Sequence, residues 1–199
     1  MTILRFSASA DTTISNAYES NLTTRGTGSN MGQSDILEVF SIYGQDSGSS
    51  GLSSELSRVL VQFPISEISS KRTAGILPAS GSVDFVLKLY NAEHGESVPR
   101  NYKIIVSPVS QSWEEGLGLD MSTYSDLTYD LQGANWIQAR ISASVEDDGK
   151  WAVVGGDYLT SSAVETLLNT GLENLEIDVS NIVENWIKGA SGGKYDNYG

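Results

Sequence analysis

The chain has 199 residues and carries 12 lysines and arginines against 25 aspartates and glutamates, a formal net charge of −13. A surface this negative repels nucleic-acid phosphates and anionic lipid headgroups, so we expect neither nucleic acid nor a membrane as a partner. With no cysteine and one histidine, His94, the sequence does not predict a zinc or haem site. It has no apolar run of about 18 residues that would predict a membrane-spanning helix, and residues 1–6 do not predict a signal peptide.

The first part of the chain contains three predicted strands. Residues 10–15 predict an opening edge strand, and the apolar residues spaced through 36–43 predict a second strand. Residues 58–65 form a run of β-prone side chains interrupted by a proline, as expected for a core strand that leaves its sheet. A short helical turn is predicted within residues 65–77.

A β-hairpin is predicted next. Residues 83–90 alternate between apolar and polar side chains, which is the pattern of a half-buried strand. The residues expected to face inward are Val83, Phe85, Leu87 and Leu89. Residues 91–100 form a polar loop that contains His94, and residues 102–106 predict the returning strand.

The next region combines a long irregular stretch with short predicted elements. Residues 112–133 show little periodicity. Residues 136–145 and 151–154 predict two strands joined through Asp148-Gly149, a dipeptide typical of tight turns. Residues 159–168 predict a short helix.

Near the end of the sequence a strand runs directly into a helix. Residues 175–179 alternate, and from Ser180 onward the apolar residues fall on one helical stripe that stops at a glycine. Asp178 or Ser180 is expected to accept hydrogen bonds from the first helical turn. Trp186 is the largest apolar group of this helix, and we expect it to plug one end of a sheet core. Short strands separated by turns favour an antiparallel sandwich or barrel.

An acidic loop is the best candidate for specific chemistry. Glu114, Glu115, Asp120 and Asp126 lie close together in a glycine-rich stretch, and several carboxylate oxygens are the ligands that Ca²⁺ requires. The loop lacks the spacing of an EF-hand. The sequence therefore leaves two interpretations: a calcium site formed by Glu114, Asp120 and Asp126, or a solvated loop.

Aromatic residues in the same region suggest a second kind of site. Trp113 and Tyr124 are candidates for stacking on sugar rings, whereas Trp136 and Trp151 are interpreted as core residues. Catalysis is not expected. His94 has no Gly-x-Ser-x-Gly nucleophile motif to accompany it, and the adjacent carboxylates at 114–115 and 147–148 are interpreted as solvated loop residues.

Six short motifs, in order along nearly the whole chain, resemble those of the DNRLRE-type β-sandwich domain. The motifs are Ala10-Asp11-Thr12, Asn30-Met31-Gly32, Arg58-Val59-Leu60-Val61-Gln62-Phe63, Leu87-Lys88-Leu89-Tyr90, Ser112-Trp113-Glu114-Glu115, and Asp178-Val179-Ser180 followed by Trp186-Ile187-Lys188-Gly189. The stretch from Trp113 to Asp120, followed by Asn135-Trp136, looks most like the versions in structural proteins of tailed phages.

The resemblance implies an all-β fold: one antiparallel jelly-roll β-sandwich over residues 1–199, similar to carbohydrate-binding modules, with one or two short helices. It implies a virion structural protein that serves as a capsid decoration, neck or tail-fibre attachment module. The absence of a predicted signal peptide and of cysteine, with Met1 at the start, fits a virion part made in the host cytoplasm better than a secreted module. Such a protein works through contacts with other virion proteins. The alternative that the resemblance leaves open is a carbohydrate-binding module for a cell-surface glycan, with Trp113 and Tyr124 as contact residues.

The sequence departs from the family pattern in one place. The family usually has another strand after the tryptophan-containing helix, but residues 192–199 stop where this strand should begin. Either the chain is cut short or another chain supplies the last strand. An unpaired sheet edge invites pairing, so we expect a homo-oligomer or docking on a neighbouring chain near the C-terminus.

Overall fold

A computed structural model describes residues 3–43, 54–93, 98–119, 132–140, 149–189 and 195–199. The regular structure in these ranges is mainly β-strand, with two nine-residue α-helices and one 3₁₀ turn over Thr160–Ser162. The elements are β1 (Ala10–Ser15), β2 (Ser41–Tyr43), β3 (Ser54–Gln62), α1 (Ile65–Thr73), β4 (Val86–Leu89), β5 (Tyr102–Val106), β6 (Val164–Leu168), β7 (Leu175–Asp178) and α2 (Ser180–Lys188). The prediction of a β-rich chain with one or two short helices is confirmed. No helix in the described ranges has the length and apolar character needed to cross a membrane.

The described residues cluster into two compact units. The first unit comprises the described parts of Met1–Phe63, Gln111–Asp157 and Tyr198–Gly199, and the second those of Pro64–Ser110 and Tyr158–Asn197. The single domain over residues 1–199 stays a prediction.

The first unit contains a three-stranded antiparallel sheet in the order β1-β3-β2. The predicted core strand is confirmed as the central strand β3, although it starts earlier than expected and ends at Gln62, before Pro64. The predicted edge strand β1 is also confirmed. The strand predicted over residues 36–43 is reduced to β2, and Ile36 and Val39 are exposed instead of paired.

The edge strand β1 is largely polar, and its residues 12–15 are nevertheless buried. Thr12, Thr13 and Ser15 have no exposed surface, so their hydroxyl groups need partners inside the protein. Thr13 Oγ1 accepts a hydrogen bond from the Glu38 amide at 3.0 Å. Ser15 Oγ accepts from the Ala17 amide at 3.0 Å. Loops therefore cover β1 and use its hydroxyl groups as anchoring points.

The two strands predicted around Trp136 and Trp151 are wrong where the structure describes them. Residues 136–140 and 149–154 form turns joined by an isolated antiparallel bridge between Gln138 and Lys150, and residues 141–148 lie outside the described ranges. Both tryptophans are buried, which confirms them as core residues. The indole of Trp151 donates to the carbonyl oxygen of Asn135 at 2.8 Å, so an indole hydrogen bond fixes these turns.

The second unit contains two separate antiparallel strand pairs, β4 with β7 and β5 with β6. The predicted alternation over residues 83–90 is present, but the predicted hairpin is wrong because β5 does not return along β4. The helix predicted over residues 159–168 is also wrong. After the 3₁₀ turn the chain forms β6, in which Val164 and Thr166 are β-branched and face the less exposed side.

The predicted strand-to-helix junction is confirmed. Asp178 Oδ1 accepts a hydrogen bond from the Ser180 amide at 2.8 Å, which satisfies a free donor at the start of α2. The side chains of Ile182 and Val183 are buried, but Trp186 is only half-buried. The deepest contacts of α2 are therefore made by Ile182 and Val183, not by Trp186.

Trp186 also has a buried indole nitrogen without a hydrogen-bond acceptor in the described part of the chain. An unsatisfied buried donor costs about 1–3 kcal/mol, which offsets the packing that the ring contributes. We expect Trp186→Phe to change the free energy of unfolding by less than about 1 kcal/mol. Urea unfolding checks this, with Trp151→Phe as the matched control.

The control removes an indole that does have a partner. Trp151→Phe removes the hydrogen bond that the indole donates to the buried Asn135 carbonyl, so it should cost about 1–3 kcal/mol. Equal losses in the two variants would show that the hydrogen-bonding state of the indole does not decide stability.

Candidate functional site

The predicted acidic segment is anchored to the body of the first unit. The Glu114 amide donates to the Ala139 carbonyl at 2.9 Å, and its own carbonyl accepts from the Ala134 amide at 2.6 Å. Glu115 Oε1 accepts a hydrogen bond from the Asp11 amide at 2.9 Å, which ties the segment to β1. Burial, and then the negative charge of Glu115, raise the pKa of Asp11 above its ordinary value. Glu115 therefore has a structural partner on β1.

The segment surrounds one fully buried amide, that of Asn30. Asn30 Nδ2 donates to the carbonyl oxygens of Glu115 at 2.8 Å and of Ala134 at 2.7 Å. Its Oδ1 accepts from the amides of Gly32 at 3.2 Å and Gly118 at 2.8 Å. Both donors and both acceptor directions of the side chain are used, so one amide joins three loops of the first unit.

Glycines make this close approach possible. An added Cβ would lie 2.0 Å from a backbone oxygen at Gly32 and at Gly118, and within 2.6 Å of Asn30 side-chain atoms at Gly116 and Gly133. No side chain fits at such distances. We call these four glycines together with Asn30 the Asn30 cluster. It packs the loops of the first unit together, whereas the residues Asn30-Met31-Gly32 predict only a turn.

The predicted calcium site is not brought together by the described residues. Asp120 and Asp126 lie outside the described ranges, and Glu114 is exposed. Among the residues that the structure does describe, no group of three acidic or histidine side chains converges. Calcium binding by Glu114, Asp120 and Asp126 stays a prediction.

The predicted glycan-contact residue Trp113 has an intramolecular partner. Its side chain is half-buried, and its indole nitrogen donates a hydrogen bond to the Tyr198 carbonyl oxygen. Gly199 follows directly, so close to β3 that an added Cβ would lie 2.6 Å from the Val61 carbonyl oxygen. Tyr124, the other predicted contact, lies outside the described ranges. Trp113 thus holds residues 198–199 against the central strand of the first unit.

A partly apolar surface that was not predicted from the sequence lies on the β5–β6 pair of the second unit. Ile105 is 59% exposed and Leu167 is 52% exposed. In the antiparallel register Ile105 faces Glu165 and Leu167 faces Lys103, and the two charged residues form an ion pair at 2.7 Å. We call these four residues the β5–β6 face. Ile105 occupies an outward position of its strand, and the alternation of side chains along residues 102–106 indicates this position from the sequence.

A second polar contact of this unit joins its two helices. Arg72 of α1 and Glu184 of α2 form a bidentate ion pair at 2.6 and 2.7 Å, with 16% and 11% of their side-chain surfaces exposed. The hydrogen bonds from Arg72 hold the pKa of Glu184 below its ordinary value, against the opposing effect of burial; a hydrogen bond from Ser80 adds to the lowering. The pair borders a groove that is open to solvent. Its geometry indicates a structural clamp between helices.

Breaking this clamp should destabilise the chain. Removing one partner of a buried ion pair costs about 3–5 kcal/mol, and because these side chains are partly exposed we expect about 2 kcal/mol for Glu184→Gln. Urea unfolding measures this loss. Glu176→Gln is the control, since its 2.6 Å ion pair with Lys88 is well exposed and should contribute about 0–1 kcal/mol.

The same clamp predicts a pH dependence. The folded-state pKa of Glu184 lies below the ordinary value of 4.5, so its stabilising effect is complete above that pH and is lost as the pH falls through the folded-state value. The stability difference between wild type and Glu184→Gln should therefore shrink below about pH 4.5. A difference that grows on acidification would contradict the assignment.

Comparison of the chain with protein-family models, with curated proteins and with solved structures gives no match.

Proposed function

We propose that this chain is a structural protein of a tailed-phage virion, a jelly-roll module for capsid decoration, neck or tail-fibre attachment that works through protein–protein contacts. The β5–β6 face is the observation that carries the proposal. A jelly roll is supported by the antiparallel pairing of every strand that the structure describes and by the six ordered sequence motifs.

The β5–β6 face has the chemistry of a protein contact surface. Two large apolar side chains stand on a short exposed ladder, and a charged pair lies beside them. Protein interfaces combine an apolar centre with a polar rim. Charged groups placed across an interface disfavour wrong partners. The strong net negative charge has a related effect, because it keeps free copies apart until a complementary surface is offered.

The first test is whether the chain is part of a particle. Virions grown from the phage genome that encodes it would be purified on a density gradient and analysed by quantitative mass spectrometry. We expect the chain to band with the particles at a fixed copy number. Recovery of the chain only in the unassembled fraction would overturn the proposal.

The second test addresses the β5–β6 face itself. Ile105→Asp and Leu167→Asp place charges at exposed positions, so folding should be retained while incorporation into particles falls. Leu22→Asp is the control, since Leu22 is 51% exposed in a turn of the first unit. Equal incorporation of all three variants would exclude this face as the contact.

Glycan binding is the competing hypothesis, and Trp113 allows a sharp comparison. Trp113→Phe keeps an aromatic ring for stacking and loses the N–H group, whereas Trp113→Ala loses both. Selective binding on a glycan array that survives in the first variant and disappears in the second would favour the carbohydrate-binding module. Binding to none of the glycans favours the proposed protein contacts.

A further inference from the structure

The central strand β3 has two unequal edges. On one side β1 pairs with it from Ser57 to Gln62. On the other side β2 pairs only with Ser54, Glu55 and Leu56, and the Phe40 carbonyl then accepts from the Ser57 amide at 3.1 Å. Val59 and Val61 therefore lie beyond the end of β2 on this second edge, within the described ranges.

Residues 198–199 lie against this second edge. Trp113 donates its indole hydrogen bond to the Tyr198 carbonyl, and Gly199 approaches the Val61 carbonyl. Gly199 has φ = +106°, a conformation that other residues rarely adopt, and a Cβ there would be 2.6 Å from Val61 O and 3.4 Å from Trp113 Nε1. We call the space between Trp113 and Val61 the Trp113 slot. It holds the Tyr198 carbonyl and Gly199, and it has no room for a Cβ at position 199.

We propose that the Trp113 slot is a main-chain recognition site that, in the assembled state, takes the Tyr198-Gly199 segment of a second copy of this chain. The contacts described above join an indole N–H group to a main-chain carbonyl and place a residue without a Cβ against the backbone of an open sheet edge. Such an edge invites the addition of another segment. A slot that fits this segment in its own chain fits the identical segment of another copy, and such an exchange joins copies without any new contact. The assembled state in which a second copy would occupy the slot rests on the proposed virion function. Recognition of the segment by the slot does not depend on that function.

Concentration decides which segment occupies the slot. A segment tethered to its own chain has an effective concentration of the order of millimolar, so isolated copies at micromolar concentration keep their own segment in place. In a particle the segments of neighbouring copies reach comparable local concentrations. The chain's own segment and a neighbour's segment then compete for the slot with similar effective concentrations.

A peptide experiment on the full chain tests the recognition step. A fluorescent peptide of residues 190–199 is titrated into wild type and into Gly199→Val, whose own segment is excluded by its Cβ. We expect Gly199→Val to bind the peptide about tenfold tighter than wild type does, because its own segment no longer competes for the slot. Adding Trp113→Phe to that variant should weaken binding by about twofold to tenfold, the effect of one hydrogen bond.

The peptide itself provides the matched control, because a version that carries valine in place of its last glycine should not bind. Circular dichroism of each variant establishes that it is folded. If folded Gly199→Val binds the peptide no better than wild type, or if the valine peptide binds equally well, the proposed recognition is wrong.

A mixing experiment identifies the occupant. Gly199→Val keeps an intact slot and loses its segment, whereas Trp113→Phe keeps its segment and has a weakened slot. In sedimentation at high concentration we expect wild type to self-associate, each variant alone to associate less, and their equimolar mixture to associate more than either. Peptide binding without self-association of wild type would show that the slot does not serve a second copy. Both experiments use purified chains, so their outcome is separate from incorporation into virions.

Discussion

Asn30→Ala should lower the free energy of unfolding by about 4 kcal/mol or more. The substitution removes all four hydrogen bonds of a fully buried side chain and leaves the carbonyls of Glu115 and Ala134 and the amides of Gly32 and Gly118 without that partner. Each buried group left unpaired costs about 1–3 kcal/mol, and relaxation of the loops recovers part of the total. Urea unfolding, read as a change in midpoint at constant slope, measures the loss.

Asn21 offers a matched control. Its side chain also makes four hydrogen bonds, to Thr23 and Thr24, but on the protein surface. Water replaces the lost partners there, so Asn21→Ala should cost about 1 kcal/mol or less. Similar losses at Asn21 and Asn30 would mean that burial of the Asn30 cluster does not determine its contribution to stability.

Gly118→Ala should cost about 3 kcal/mol or more, for a purely steric reason. Gly118 does not have a positive φ, so alanine is compatible with its backbone, but the new Cβ would lie 2.0 Å from the Asn30 carbonyl oxygen. Both atoms belong to packed loops, so backbone must move to relieve the overlap. The midpoint of urea unfolding reports the cost, and near-ultraviolet circular dichroism reports any loosening around the buried tryptophans.

Gly81→Ala is the control with the opposite geometry. Gly81 has φ = +83° and nothing within 4 Å of its added Cβ. Only the conformational penalty remains, about 1–2 kcal/mol. We therefore expect the glycine with ordinary φ to be the less replaceable of the two, and the reverse order would contradict the close packing of the Asn30 cluster.

The sequence predicted elements better than it predicted their partners. The strands β1, β3, β4 and β5 and the junction of β7 with α2 follow from local alternation and stop signals. The pairing of β4 with β7 does not, since alternation defines the two faces of a strand and says nothing about the neighbour at its edge. The region 159–168 was misassigned because its apolar residues also fit a helix, while Val164 and Thr166 favour a strand.

At the candidate site, too, local features were predictable from the sequence and contacts between distant residues were not. Glycine and asparagine near position 30 indicate a turn, and nothing local indicates that Gly118 and Gly133 meet the same side chain. The contact of Trp113 with Tyr198 joins distant parts of the chain, so a pattern-based interpretation of Trp113 as a sugar-stacking residue had no means of including it. Outward positions such as Ile105 follow from the alternation of a strand, but whether an outward position is exposed depends on what packs over it.

The Asn30 cluster also sets the order in which the chain can fold. The two carbonyl groups that accept from the Asn30 side chain lie 85 and 104 residues further along the sequence, and the amide of Asp11 donates to a side chain 104 residues away. At about 5–20 residues per second, a ribosome needs about 5–20 s after Asn30 to make Ala134. Contacts of such long range also slow the search itself. During synthesis, β1 and the Asn30 side-chain amide of the first unit are therefore still hydrated. The hydrogen bonds of the Asn30 cluster form only when the loops of the later half have emerged from the ribosome.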